Sequence, residues 1–213
     1  YIYVGGATTQ KVYKLNKSNL TKVAESDSYG GNIYSLAVDD DYIYIGGSAT
    51  QKVYKLNKSD LAKVAESDSY GGAIRCLAVD DDYIYVGGET TRKVYKLNKS
   101  NLTKVAESIS YGGHIYSLAV DDTYIYVGGY ATQIADRKVY KLSKSNLTKV
   151  AESETYGGTI RCLALDDDYI YVGGYTTQKV YKLSKSNLTK VAESETYGGN
   201  IYSLALDDTY IYV

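Results

Sequence analysis

The chain of 213 residues contains no proline, phenylalanine, tryptophan or methionine, only one histidine and only two cysteines. Each shortage excludes something. A Ser–His–Asp triad needs a histidine base held by a fixed partner, and His114 stands alone. Zinc takes three or four nitrogen and sulfur ligands, which one His and two distant Cys do not supply. Two cysteines in a chain of this length make no disulfide framework. No apolar run approaches the roughly 20 residues that a membrane-spanning helix needs. Charge of neither sign dominates, with 24 Lys and Arg against 25 Asp and Glu and a net of −1, so electrostatics makes no case for nucleic acid or an anionic membrane as partner.

What fills the chain is tyrosine, with 27 copies, and glycine, with 20, and both recur periodically. Tyr-Ile-Tyr-Val/Ile begins at Tyr1, Tyr42, Tyr83, Tyr124, Tyr169 and Tyr210, at steps of 41 residues except for one of 45. A fixed period in this range means a repeat architecture. Within the second period four segments recur elsewhere: Ala73 to Val79, Tyr83 to Val86, Lys93 to Leu97 and Leu102 to Glu107. None carries a helical period; Ile, Val and Tyr dominate, and Asp-Asp, Gly-Gly and Asn-Lys-Ser-Asn turns separate them, so all four read as strands. The first two are nearly apolar and read as inner strands. The third and fourth are interrupted by lysine and read as outer strands, where charge discourages edge pairing.

Four antiparallel strands per 41 residues form one blade of a β-propeller. The expected fold is therefore all-β: a five-bladed ring in one domain over residues 1–213, with 21 strands counted. The last first-strand, Asn200 to Leu206, is expected beside the N-terminal third and fourth strands, and one of the two end copies of Tyr-Ile-Tyr-Val is surplus. Because the chain opens inside a repeat with no leader or lipidation signal, a trimmed chain is expected.

The stretch from Leu77 to Gly88, Leu-Ala-Val-Asp-Asp-Asp-Tyr-Ile-Tyr-Val-Gly-Gly, followed by Lys93-Val94-Tyr95-Lys96-Leu97, resembles blades of quinoprotein-like and YVTN-type propeller repeats. The resemblance implies the fold. Where that pattern often places tryptophan this chain has Thr103-Lys104-Val105, so no quinone or other cofactor is expected. Five-bladed lectins of the tachylectin type are similar in blade count.

The internal copies differ mainly in two connections. After Gly-Gly of the second strand stand Ala7, Ser48, Glu89, Tyr130 and Tyr175, and the fourth copy inserts four residues within Tyr130 to Arg137. The links between repeats vary before and after a shared Tyr-Gly-Gly, ending in Asn32, Ala73, His114, Thr159 and Asn200. In an up-and-down sheet both connections emerge at one edge. Two residues into the first strand, near that edge, stand Tyr34, Arg75, Tyr116, Arg161 and Tyr202. Arg75, Arg92, Arg137 and Arg161 all belong there, and these residue types make specific contacts. The candidate ligand-binding set is thus Tyr34, Arg75, Tyr116, Arg161, Tyr202, Asn32, His114, Asn200, Glu89, Tyr130, Arg137 and Tyr175. Against this, loop variation can be relaxed constraint, and Arg75 and Arg161 could be spent on Asp68 and Glu154.

The Asp triplets read as turn formers and not calcium loops, and Cys76 and Cys162, standing where other copies have Ser35, Ser117 and Ser203, read as free buried thiols. The leading functional expectation is a non-enzymatic, monomeric ring binding a glycan multivalently on its variable face, with no nucleic acid and no membrane insertion. The alternatives are a protein-interaction platform, or a repeat protein with no ligand. Equivalent pockets would favour the glycan, asymmetry the protein partner.

Overall fold

The computed structural model describes residues 1–48, 51–133, 137–176 and 178–213, and among them there is no helix. The chain divides into two compact units, Tyr1–Thr91 with Tyr95–Val105, and Arg92–Val94 with Ala106–Val213.

The first unit opens with β1 (Ile2–Gly5), β2 (Val12–Leu15) and β3 (Lys22–Glu25), a three-stranded sheet. A four-stranded sheet follows, β4 (Ile33–Val38), β5 (Tyr42–Gly47), β6 (Tyr54–Asn57) and β7 (Lys63–Glu66), and then a second, β8 (Ile74–Val79), β9 (Tyr83–Gly88), β10 (Tyr95–Asn98) and β11 (Lys104–Glu107). In the second unit β12 (Gly113–Val120), β13 (Tyr124–Ala131), β14 (Tyr140–Ser143) and β15 (Lys149–Glu152) make one four-stranded sheet. Another consists of β16 (Ile160–Leu165), β17 (Tyr169–Gly174), β18 (Tyr181–Ser184) and β19 (Lys190–Glu193), and β20 (Ala205–Leu206) pairs with β21 (Ile211–Tyr212) alone. The strands are antiparallel and run in chain order, as the period predicts. The segment expected as a strand over 200–206 forms ladder pairs only at Ala205 and Leu206, because β21 is its single partner in that sheet.

The turns explain why the chain reverses where it does. Asp39 Oδ1 accepts the N–H of Asp41 at 3.0 Å and of Tyr42 at 2.7 Å, so the side chain replaces a backbone acceptor in the turn. Its other oxygen accepts the Tyr44 hydroxyl at 2.9 Å. Burial would raise the Asp39 pKa, but the Tyr42 N–H, Lys99, Tyr44 and Asp41 donors outweigh it and hold the carboxyl below its usual range. The Asn-Leu turn was legible only in part. Leu102, expected as the first residue of the fourth strand, instead lies in the left-handed region at φ 61°, where its buried side chain anchors the turn.

Consecutive sheets within each unit dock through a small set of repeated contacts. A Cβ on Gly46 would overlap the Ile74 side chain of the next repeat, so only glycine admits that approach. Ser35 Oγ accepts the Leu77 N–H at 2.8 Å, and Ser117 Oγ accepts that of Leu163 at 3.0 Å.

The third strand corrects the expectation that its lysines face outward. Lys14, Lys55, Lys96 and Lys141 are only 6–7% exposed. Lys55 Nζ sits 3.8 Å from the centroid of the Tyr42 ring and donates to the Lys99 carbonyl of the next repeat at 3.0 Å. Lys141 repeats the arrangement with Tyr124 at 3.9 Å and the Lys185 carbonyl at 2.6 Å. Charge is tolerated there because the ring face and the turn carbonyl replace water. The lysines of the fourth strand do face solvent, as Lys63 does in its pair with Glu66 at 2.8 Å.

Cys76 and Cys162 are buried thiols not joined in a disulfide, and burial pushes the Cys162 thiol up to about 11 and Cys76 further still. Thiolate is the reactive form, so both thiols should label slowly in native protein near neutral pH and at the free-thiol rate after urea unfolding. Rapid labelling of native protein by a maleimide, followed by mass spectrometry, would contradict this burial.

Candidate functional site

Four of the five residues two positions into the first strand owe their placement to a feature that residue type does not reveal. The ladder of β4 with β5 shifts register between Ile33 and Ser35, that of β8 with β9 between Ile74 and Cys76, that of β12 with β13 between Ile115 and Ser117, and that of β16 with β17 between Ile160 and Cys162. Tyr34, Arg75, Tyr116 and Arg161 are therefore the bulged residues. A bulge lifts one residue out of the alternation and re-aims its side chain toward the sheet end.

In the first unit the Arg75 guanidinium carbon lies 3.9 Å from the Tyr34 ring centroid. Its Nε donates to Glu89 Oε1 at 2.7 Å, and an Nη group forms the ion pair with the same carboxylate. The partner is not Asp68, as considered from sequence. Hairpin register could have revealed it, since Ile74 faces Gly88 across the ladder and Glu89 follows. Asn32 Nδ2 donates to the Tyr34 hydroxyl at 3.3 Å.

The second unit carries the same geometry with one change. Arg161, the counterpart of Arg75, lies 4.0 Å from the Tyr116 ring centroid, as Arg75 does over Tyr34. At the position of Glu89, however, stands Tyr175, whose ring centroid is 4.3 Å from the guanidinium carbon. The arginine is clamped between two phenol rings. Among the described residues it has no carboxylate partner, neither Glu154 nor another, and its buried Nε has no hydrogen-bond acceptor.

The stacking continues to both sides. Tyr202, 66% exposed, meets Tyr175 edge-on at 5.3 Å. On the other side His114 lies 5.9 Å from Tyr116 and 6.1 Å from Tyr130, its direct cross-strand partner. The Arg137 guanidinium carbon lies 5.0 Å from the Tyr130 ring, and its Nη1 donates to the Gly157 carbonyl at 3.2 Å. Seven of the candidate residues thus form one ladder in order Arg137, Tyr130, His114, Tyr116, Arg161, Tyr175, Tyr202. Asn200 is exposed. The inserted residues Ile134, Ala135 and Asp136 lie outside the described residues.

Open space is distributed differently from these side chains. Hollows at the variable edge, one beside His114 and Tyr130 and one beside Glu89 and Thr90, hold about 10 Å³ each. Two larger hollows among the described residues are at the Asp turns, about 810 Å³ around Asp40, Asp81 and Lys55 in the first unit and about 570 Å³ around Asp122 and Lys141 in the second. Sequence reasoning did not single out that edge. Some of its polar groups are already engaged, as in Lys99 with Asp39 at 3.1 Å and Lys185 with Asp121 at 3.0 Å, and its residues scarcely change between repeats. The described residues of the variable edge present rings and cations beside the small hollows.

No family model and no curated protein matches the chain. A chain in a solved structure described as the crystal structure of the mitotic checkpoint complex is similar in fold, with a TM-score of 0.84 at 14% identity. The match covers 96% of this chain and 64% of that one, so the present chain spans somewhat under two thirds of its length. That likeness and the repeated four-stranded antiparallel sheets support a β-propeller. The similarity to tachylectin-type lectins gains nothing from it.

Differing surroundings separate the ionisations of the phenols. Burial pushes Tyr29, Tyr70, Tyr111 and Tyr156 up to about 12, whereas the neighbouring Tyr175 and Asn200 side chains, with help from the Arg161 charge, hold Tyr202 below its ordinary value. Tyr202→Phe should remove the earliest step of the ultraviolet phenolate titration and leave the late steps. A titration unchanged by the substitution would show that this phenol does not ionise first.

Proposed function

We propose that this chain is a non-enzymatic interaction platform, a β-propeller whose variable edge docks a protein partner on the ladder from Arg137 to Tyr202. The observation that carries the reading is the inequality of two otherwise equivalent arginines: Arg75 is neutralised by Glu89, while Arg161 is held between Tyr116 and Tyr175 without a carboxylate. A multivalent glycan reading calls for similar pockets in each repeat, and these two differ in charge. Small-molecule sites are concave and of several hundred cubic ångströms, whereas clefts of about 10 Å³ suit the contact of one surface with another. Tyrosine and arginine are the residue types that anchor such contacts, because rings and planar donors lose little conformational freedom on binding.

The reading takes the five periods as blades of one closed propeller, a step beyond the sheet pairings described above. Deleting Tyr1 to Val4 should then be tolerated better than deleting it together with Tyr210 to Val213, since one copy suffices. Equal melting temperatures for the two deletions would count against closure.

Selection of displayed random peptides on the immobilised protein tests the platform. Enriched peptides should lose binding by about ten-fold or more when Tyr116, Tyr175 and Tyr202 are replaced together by alanine, on the scale of losing hot-spot side chains. Replacing Lys17 and Lys99 at the opposite turns should change binding by no more than about two-fold. Enriched peptides indifferent to the ladder, or the absence of any enrichment, would overturn the reading.

A further inference from the structure

The first unit pairs its arginine with a carboxylate, and the second leaves the equivalent arginine without one. Arg75 and Arg161 occupy the same bulge, in β8 and β16, and each stacks on the tyrosine of the preceding repeat, Tyr34 at 3.9 Å and Tyr116 at 4.0 Å. In the first case a glutamate carboxylate from the same hairpin accepts from Nε and an Nη group of the arginine. In the second a phenol ring stands at that position and the buried Nε has no acceptor. The molecule therefore displays, on one of its own side chains, the ligand that this arginine geometry accepts.

We infer that Arg161 is the receptor for a carboxylate of a partner's acidic peptide segment, a glutamate side chain pairing with the Nη groups that remain accessible on this partly buried residue, as Glu89 pairs with an Nη group of Arg75. The inference rests on the platform reading and names its ligand chemistry. A single guanidinium offers paired planar donors to a planar monoanion, and its geometry fits the carboxylate fork better than an isolated ammonium would. The flanking rings of Tyr116 and Tyr175 shield the pair from water, which strengthens a charge-assisted hydrogen bond relative to one in solvent. Tyr202, mostly exposed and edge-on to Tyr175, is placed to pack on the aliphatic part of the acidic side chain or on its neighbour. Arg137, whose donors are turned to the Ala131 and Gly157 carbonyls, adds positive charge at the far end of the ladder without competing for the same anion.

The two repeats supply each other's test. Tyr175→Glu installs in the second unit the carboxylate that already closes Arg75, in a hairpin whose counterpart tolerates glutamate, so the fold is expected to survive. Glu89→Tyr does the converse and opens Arg75. The probe is N-acetylated hexaglutamate, titrated by calorimetry at low and at physiological salt. The wild-type chain should bind one peptide, Tyr175→Glu and Arg161→Gln should each weaken binding by about ten-fold or more, and Glu89→Tyr should raise the stoichiometry to two. Arg161→Lys should recover only part of the affinity, because the ammonium keeps the charge and loses the fork.

Inorganic phosphate and N-acetylneuraminic acid serve as parallel ligands. Arg161-dependent binding of the sugar acid without binding of hexaglutamate would overturn the peptide assignment in favour of a carboxylated glycan, and preferred binding of phosphate would overturn the carboxylate. Hexaglutamate binding that ignores Tyr175→Glu would overturn the site. If hexaglutamate fails while displayed peptides of other composition still depend on the ladder, the inference falls and the platform reading survives. Failure of both removes the reading itself.

Discussion

The contact on which the rest depends is the one between the end of one third strand and the turn of the next repeat. A lysine that would ordinarily be at the surface is folded over a tyrosine ring and delivers its ammonium to a main-chain carbonyl, as Lys55 does to Lys99 and Lys141 to Lys185. The turn that receives it is braced by the next lysine along, since Lys99 also pairs with Asp39 and Lys185 with Asp121. Burial lowers the pKa of Lys55 and Lys141, yet ring face and carbonyl keep the charge tolerable. The Asp turn, the Tyr strand and the outer Asn turn are thereby coupled within each unit. A substitution in any of them is felt in the others, which is a physical reason for their sameness from copy to copy.

The opposite edge carries no such obligation. Its backbone is set by the bulges and by glycines that admit the neighbouring isoleucine, so the side chains at the bulge are free to differ. The repeats use that freedom at Tyr34, Arg75, Tyr116 and Arg161, and again at Glu89 and Tyr175. One ion pair and one aromatic clamp are two outcomes on a shared frame, and the difference between them is a single residue of the loop.

Much of this could be read from the sequence because the information was periodic. Alternation and turn residues repeat five times, so the strands, their order and the constant and variable connections were legible. The bulges were not, because they are a register shift and leave Ile-Tyr-Ser and Ile-Arg-Cys looking like ordinary strand. The buried lysines were misread as an outer edge, since a Lys-interrupted strand has the same pattern whether water or a neighbouring carbonyl receives the ammonium. Asp68 in the link is the nearer acid in sequence and a possible partner for Arg75, but antiparallel return brings Glu89 to it instead. The identity of the variable residues was visible from the outset, but their ordering into a ladder depends on distances that no sequence pattern encodes.

The division of labour between a constant docking edge and a free variable edge can be measured directly by urea unfolding of Lys55→Met beside Tyr175→Glu. Lys55→Met leaves the Lys99 carbonyl without its donor and should lower the unfolding free energy by about 1–3 kcal/mol, whereas Tyr175→Glu should alter it by no more than about 0.5 kcal/mol. A neutral Lys55→Met, or a larger loss from Tyr175→Glu, would contradict the account.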